Sequence, residues 1–257
     1  MQDIISIRSS YLLVQDPERN EIFRSSIHYC DLMTSISEFS LKDTVDFYKP
    51  EFDNRNIPTR VIYHGTDKLY DPAKNPGFKL PFDNYFVVFG NFYKHKFVPQ
   101  LLEALKSSKH RIIVIGSTSE GAIGNSMYGY KSGNLSDEFI DYVLGNSLGI
   151  IFPSIYEGFG LPFLDGMSYS KKIIVNNTEL NRELRNYFDA FSENVYIFNS
   201  LDEVDGILDK VEADPVIHYK NNDSHIRSWE DSAKELEDCL AGVRAAPVNA
   251  ELLYESW

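Results

Sequence analysis

The stretch Leu148–Met167, LGIIFPSIYEGFGLPFLDGM, decides the fold. Its first part, Leu148–Ser154, is a short apolar run of the kind that forms a buried parallel strand. Gly158 and Gly160 then let the backbone turn sharply and leave its amides uncovered, and Pro162 stands where a helix would begin, a position that tolerates its missing N–H. A helix starting there points unpaired amides, including those of Phe159, Gly160 and Leu161 at the turn, and the positive end of its dipole at whatever lies above the strand. That suits a diphosphate. Glu157 and Asp165 bracket the turn and, when ionised, accept hydrogen bonds from sugar hydroxyls. A plainer reading stands beside this one: glycines serve strand-to-helix turns, and a Glu near a helix start serves the dipole.

Outward from that stretch, strands and helices alternate at the spacing of a doubly wound, parallel α/β sheet. Tyr85–Phe89, Arg111–Ile115, Leu148–Phe152, Lys172–Val175 and Val195–Phe198 read as strands. Val98, Leu101, Leu102 and Leu105 form one apolar helix face. Ser136 opens a helix to about Leu144. The last helix carries Trp229, Ala233, Leu236 and Leu240 on one face, with Ser228 and Asp231 placed as a cap. In such sheets the ligand binds beyond the carboxyl ends of the strands. The loops expected there are Gly90–Lys96, Gly116–Thr118, Tyr128–Tyr130 and Glu157–Leu161, so one crevice can collect a cation, a nucleobase and a sugar.

The chain of 257 residues is 43% hydrophobic and 14% aromatic, enough for one large core or two small ones. Its net charge of −13 argues against nucleic acid or an anionic membrane surface as the main partner, since both are polyanions. It leaves open an anionic ligand in a local cationic pocket. The six histidines, His28, His64, His95, His110, His218 and His225, show no i, i+4 pair, so no metal catalysis is expected. Cys30 and Cys239 lack metal spacing and read as reduced core thiols. With no apolar run near the ~20 residues of a membrane span and no signal peptide, the expected location is the cytoplasm, at most peripheral to the inner face of the membrane.

The string EGFGLP with an acid eight positions after its Glu resembles the Glu-x7-Glu signature of the retaining nucleotide-sugar glycosyltransferases of two-domain GT-B architecture, the glycosyl transferases group 1 family. Cys30–Tyr48 resembles the strand and helix that close the family's first domain, Val61–Asp67 (VIYHGTD) its interdomain segment, Tyr85–Leu105 the opening of its donor domain, and Ser228–Leu236 its closing helix. Roughly four fifths of the chain lies on the family in order. The resemblance implies a Rossmann-like donor domain over 68–243, preceded by a remnant of the acceptor-side domain over 1–67 and followed by a tail over 244–257.

For the site, the resemblance implies that Lys96 stabilises the diphosphate leaving group and that Glu157 contacts the donor sugar. Gly90 and Asn91, the backbone amides of Phe159, Gly160 and Leu161, and Asp165 toward the ribose would bind the donor, with Gly129 and Tyr130 in the base-contacting loop, although Tyr130 reads equally as a packing aromatic. Asn91 stands where many members carry a phosphate-clamping Arg, which shifts that duty toward Lys94. Asp165 is one methylene shorter than the usual Glu, and Ser170 and Lys172 replace a usual Gly and Pro. The implied reaction is transfer of a hexose from a nucleoside diphosphate sugar to a hydroxyl acceptor, such as a saccharide or lipid-linked saccharide, with retention, in polysaccharide or glycoconjugate synthesis. It requires no metal and no cofactor beyond the donor substrate. Only about 60 residues precede His64, too few for a full acceptor domain. The alternatives are therefore a catalytically incomplete nucleotide-sugar-binding module whose acceptor half comes from a protein partner, and a truncated product.

Overall fold

The structure, a computed structural model, describes residues 3–8, 18–67, 77–131, 133, 135–220 and 226–243. The tail expected over 244–257 lies outside these residues. Contacts divide the chain into two units, 66–227 and 1–65 with 228–257.

The first unit holds a two-stranded parallel sheet, β1 (Met33–Ser35) beside β2 (Thr59–Val61). Between them run helices Glu38–Phe47 and Lys49–Arg55, the former capped by Ser37 Oγ, which accepts from Ser40 N at 3.0 Å. Ile4, Ile7, Ile27, Met33, Tyr48, Phe52 and Ile57 form its core. The last helix, Trp229–Gly242, has the expected capping box from Ser228 and Asp231. It groups with this unit and not with the expected donor domain, because its buried side is held there. Ser232 Oγ donates to Tyr63 O at 2.8 Å, and the Trp229 ring lies 5.0 Å from that of His64. Leu236 and Leu240 are exposed, and Trp229 is about half exposed beside His64, so much of the apolar stripe seen in the sequence lies on the helix's outward side. Cys30 and Cys239 are free thiols but half-buried, not core residues; burial pushes the Cys30 thiol up.

The second unit is a seven-stranded sheet of order β5-β6-β4-β3-β7-β8-β9. Its strands are β3 (Phe86–Phe89), β4 (Ile112–Ser117), β5 (Gly121–Ile123), β6 (Met127–Lys131), β7 (Gly149–Phe152), β8 (Lys172–Asn176) and β9 (Val195–Phe198). All neighbours are parallel except β5, which pairs antiparallel with β6. The strands are near-continuous apolar runs because both faces are covered. Phe86, Val88, Ile112, Val114, Ile151 and Ile174 pack on one face with Val98, Leu101 and Leu208; Val87, Ile113, Ile115 and Ile150 pack on the other with Val143 and Leu144.

The chain builds β3, β4 and β6 toward one edge, then returns to lay β7, β8 and β9 on the other side of β3. The order therefore reverses between β3 and β7. Loops leaving these two strands turn opposite ways and open a crevice at their carboxyl ends.

Candidate functional site

The β3 exit carries Gly90 to Lys96, ending in a 3-10 turn Lys94–Lys96, before the helix Val98–Ala104. The β7 exit carries Pro153 to Gly160 before the helix Leu161–Ser168. The two loops are tied together: Ile155 N donates to His95 O at 2.9 Å. Across that tie, Lys96 Nζ donates to Glu157 Oε1 at 2.6 Å. The side chains are 23% and 15% exposed, so the pair is largely but not wholly shielded. Lys96 Nζ also sits 5.9 Å from the centre of the Phe152 ring, a cation over an aromatic face. The crevice thus has one cation and one carboxylate already in contact.

Gly160 is the N-cap of the helix Leu161–Ser168, with φ 87° and no side-chain cap, and Pro162 lies in the first turn. A Cβ on Gly160 would lie 2.9 Å from the Phe152 ring, so both backbone conformation and space require glycine. By position, the amides of Gly160 and Leu161 precede the first helical turn and have no intrahelical acceptor. Phe163 N already donates to Gly160 O at 2.9 Å. The helix end therefore offers amides at the carboxyl end of β7, beside the Lys96–Glu157 pair.

Gly90 closes β3, and Gly116, near the end of β4, packs against it so tightly that a Cβ there would lie 2.4 Å from Gly90 O. Asn91 is exposed, and its Oδ1 accepts from Tyr93 N at 3.1 Å, an Asx turn that shapes the loop. Lys94 is exposed on the same loop. Phe159 is buried, Leu161 is exposed, and Asp165 lies in the second turn of its helix, partly buried.

The structure thus brings Gly90, Asn91, Lys96, Glu157, Phe159, Gly160 and Leu161 to the ends of one adjacent strand pair. Gly129 and Tyr130 are different. They were expected in a loop but lie inside β6, because 121–131 folds back as a β5–β6 hairpin. Tyr130 is 8% exposed and packs edge-on to Phe139 at 4.9 Å, and burial pushes its phenol up to about 12. It serves the core. The sequence reading passed over Ser154, which follows β7, is 2% exposed, and carries a buried Oγ without a hydrogen-bond partner. Its only local signal is a Pro-Ser pair ending an apolar run.

Residues 74–229, more than half of the chain, match the family described as "Glycosyl transferases group 1". Solved structures share the fold at low identity. The sucrose-phosphate synthase of Thermosynechococcus elongatus is 16% identical with a TM-score of 0.64, over 89% of this chain and 62% of that one. HepE of Anabaena, solved with UDP and glucose, is 14% identical with a TM-score of 0.64, over 88% and 69%. The pneumococcal O-GlcNAc transferase GtfA, solved with UDP and GlcNAc, is 13% identical with a TM-score of 0.55, over 90% and 48%. The chain therefore spans between about half and two thirds of the length of these proteins. No curated protein matches it in sequence. Among the described residues, no helix is long and apolar enough to cross a membrane.

Proposed function

The chain belongs to the glycosyl transferases group 1 family, and from that membership we propose that it transfers a hexose from a nucleoside diphosphate sugar to a hydroxyl acceptor with retention at the anomeric carbon. The observation that carries this reading is the 2.6 Å contact of Lys96 with Glu157 beside the uncapped start of the helix Leu161–Ser168. The anionic donor enters at the switch point of the sheet. Its phosphates meet the amides of Gly160 and Leu161 and draw Lys96 Nζ away from Glu157. Freed from that partner, Glu157 accepts hydrogen bonds from hydroxyls of the sugar.

Catalysis on this reading is positional and electrostatic. The group that leaves is a nucleoside diphosphate, and negative charge grows on its bridging oxygen as the bond to the anomeric carbon breaks. Once the donor has drawn Lys96 across, the cation and the backbone dipoles of the helix start face that oxygen and stabilise its charge. Holding donor and acceptor together supplies the rest. Lys96 is the leaving-group cation and Glu157 the sugar-orienting acceptor. Gly90 and Asn91 shape the loop beneath, and the Phe159 backbone together with Asp165 extends the donor site toward the nucleoside. Gly129 and Tyr130 support the sheet. That UDP and glucose are named for HepE, and UDP and GlcNAc for GtfA, supports a pyrimidine diphosphate sugar as the first donor to try.

A second reading rests on the first unit. It carries a two-stranded sheet among its described residues and an exposed stripe of Trp229, Leu236 and Leu240. An outward apolar stripe of this kind suits a protein partner that completes the acceptor side. On that reading, residues 1–65 with the last helix are acceptor-side chain, 66–227 bind the donor, and the chain alone holds donor without turning it over. Incubation with UDP-sugars and saccharide acceptors, followed by NMR of the product anomer, separates the two. Transfer with retained configuration supports the enzyme. Inverted product or complete absence of both transfer and donor hydrolysis removes it, and tight donor binding without turnover leaves the partner-dependent module.

A further inference from the structure

At the amino end of the same sheet, away from the donor crevice, we propose that His110, Asp209 and Glu212 form a binding site for a divalent transition-metal ion, with Zn²⁺ as its representative. His110 immediately precedes Arg111 and β4, and its side chain is 2% exposed. Asp209 and Glu212 lie three positions apart on the helix Val204–Ala213, whose periodicity puts them on one face. His110 Nε2 lies 3.2 Å from Asp209 Oδ1, and Nδ1 lies 3.3 Å from Glu212 Oε2. One ligand atom from each of the three residues falls within 4.8 Å of the others. A tetrahedral zinc ion bound at about 2.0–2.1 Å needs its ligand atoms about 3.4 Å apart, so the carboxylates must close by up to roughly 1.4 Å to bind it. Both carboxylates are about half exposed (51% and 50%) and free to close by rotation, while the buried imidazole is fixed.

Three further features point to a cation and not merely to an ion-paired histidine. The carboxylates outnumber the local fixed positive charge. Asp205, one turn before Asp209, accepts from Ser108 Oγ, so three acids on one helix face meet the segment 108–111, whose permanent cations are Lys109 and Arg111. Both ring nitrogens of His110 face carboxylates. With Nε2 ligating beside Asp209, Glu212 at Nδ1 is the orienting acid in this arrangement, and its half-exposed side chain becomes a third ligand only by swinging to the Nε2 side. The site is also reachable, since a cavity of about 400 Å³, lined among others by Lys109, His110, Arg111 and Glu212, opens beside it. An imidazole with two carboxylates selects zinc-like ions over magnesium or calcium, which take oxygen alone. Lys109 is the ion's competitor: its Nζ lies 2.6 Å from Asp209 Oδ1 and must leave for that carboxylate to ligate. The bound ion would pin the helix Val204–Ala213 to the start of β4 and take no part in glycosyl transfer.

Calorimetric titration of chelator-treated, untagged protein with ZnCl₂ tests the site. One ion per chain is expected. His110→Gln and Glu212→Gln should each weaken binding roughly tenfold or more, and Lys109→Ala should tighten it. Zn²⁺ should also raise the Tm of the wild type and not that of Glu212→Gln. If His110→Gln does not fold, Glu212→Gln carries the test alone, because its side chain is half exposed. Absence of saturable binding at one ion per chain, or binding of unchanged affinity in the Glu212→Gln protein, overturns the proposal.

Discussion

Two of the helices that leave the outer strands of the seven-stranded sheet begin differently from those that leave its central pair. After β6, the helix Asp137–Gly145 is capped by Ser136 Oγ, which accepts from Phe139 N; after β8, the helix Glu179–Tyr187 is capped by Thr178 Oγ1, which accepts from Asn181 N. After β3 and β7, the helices start at Phe97 and Gly160, both left-handed and both without a side-chain cap. The difference follows position. Ser136 and Thr178 satisfy amides at their helix starts directly, whereas after β9 Ser200 caps the 3-10 turn leading into the helix Val204–Ala213, which has no side-chain cap of its own. Beside the switch point of the sheet, where the strand order reverses, the amides are left for something else, and Lys96 and Glu157 stand next to them. A single uncapped helix would mean little. Two of them on adjacent strands, sharing an ion pair between their loops, describe a site.

Four substitutions break or sharpen that contrast. Lys96→Ala removes the proposed leaving-group cation and should lower transfer or donor hydrolysis roughly 10²–10³-fold, while the Tm falls modestly because the largely shielded Glu157 loses its partner. Steady-state rates on matched protein check it, and unchanged turnover would detach the ion pair from chemistry. Gly160→Ala sets a Cβ 2.9 Å from the Phe152 ring at φ 87° and should cost about 2 kcal/mol or more of stability, with donor affinity lost in whatever remains folded. Urea unfolding with and without nucleotide reads both effects.

At the far end of the same uncapped helix, burial holds the Lys171 ammonium down at about 8. Because the folded value lies below the unfolded value of 10.5, keeping the proton costs stability at neutral pH, and that cost is relieved as pH rises from about 8 to about 10.5. Lys171→Met should therefore stabilise the chain by about 1–3 kcal/mol at pH 7, with the gain vanishing toward pH 10.5, in a series of melts across that range. The smallest effect belongs to the capped ends. Thr178→Ala should cost about 1 kcal/mol and leave donor affinity unchanged. A loss of donor binding in that variant would erase the distinction between the two kinds of helix start.

Much of the fold was legible because parallel strands buried on both faces leave continuous apolar runs. Phe86–Phe89, Gly149–Phe152 and Val195–Phe198 fall where the sequence put them, as do the caps Ser136 and Ser228. The hairpin of β5 and β6 was not, because a three-residue edge strand that begins at Gly121 and is followed by Gly124 has almost no pattern to show. That is also why Gly129 and Tyr130 were set in a loop. The final helix was placed with the donor domain by its position in the chain, whereas its partners, Tyr63 and His64, lie in the first unit. At the site, Glu157 and the glycine turn were written in one continuous string. The contact of Lys96 with Glu157 spans 61 positions. The likeness to the family made Lys96 visible, and folding made its partner visible. His110 gave no local signal, since its carboxylates lie about a hundred positions away on another helix.

Thermal unfolding of the chain with UDP, GDP and ADP and their hexose derivatives, run beside Lys96→Ala and Gly160→Ala, decides whether the crevice between the β3 and β7 loops holds a nucleotide sugar. One nucleoside diphosphate series should raise the Tm of the wild type by several degrees and fail to do so in both variants, because a ligand of the folded state stabilises it by mass action. No rise with any of them, or a rise that persists undiminished in both variants, would show that the crevice is not the donor site.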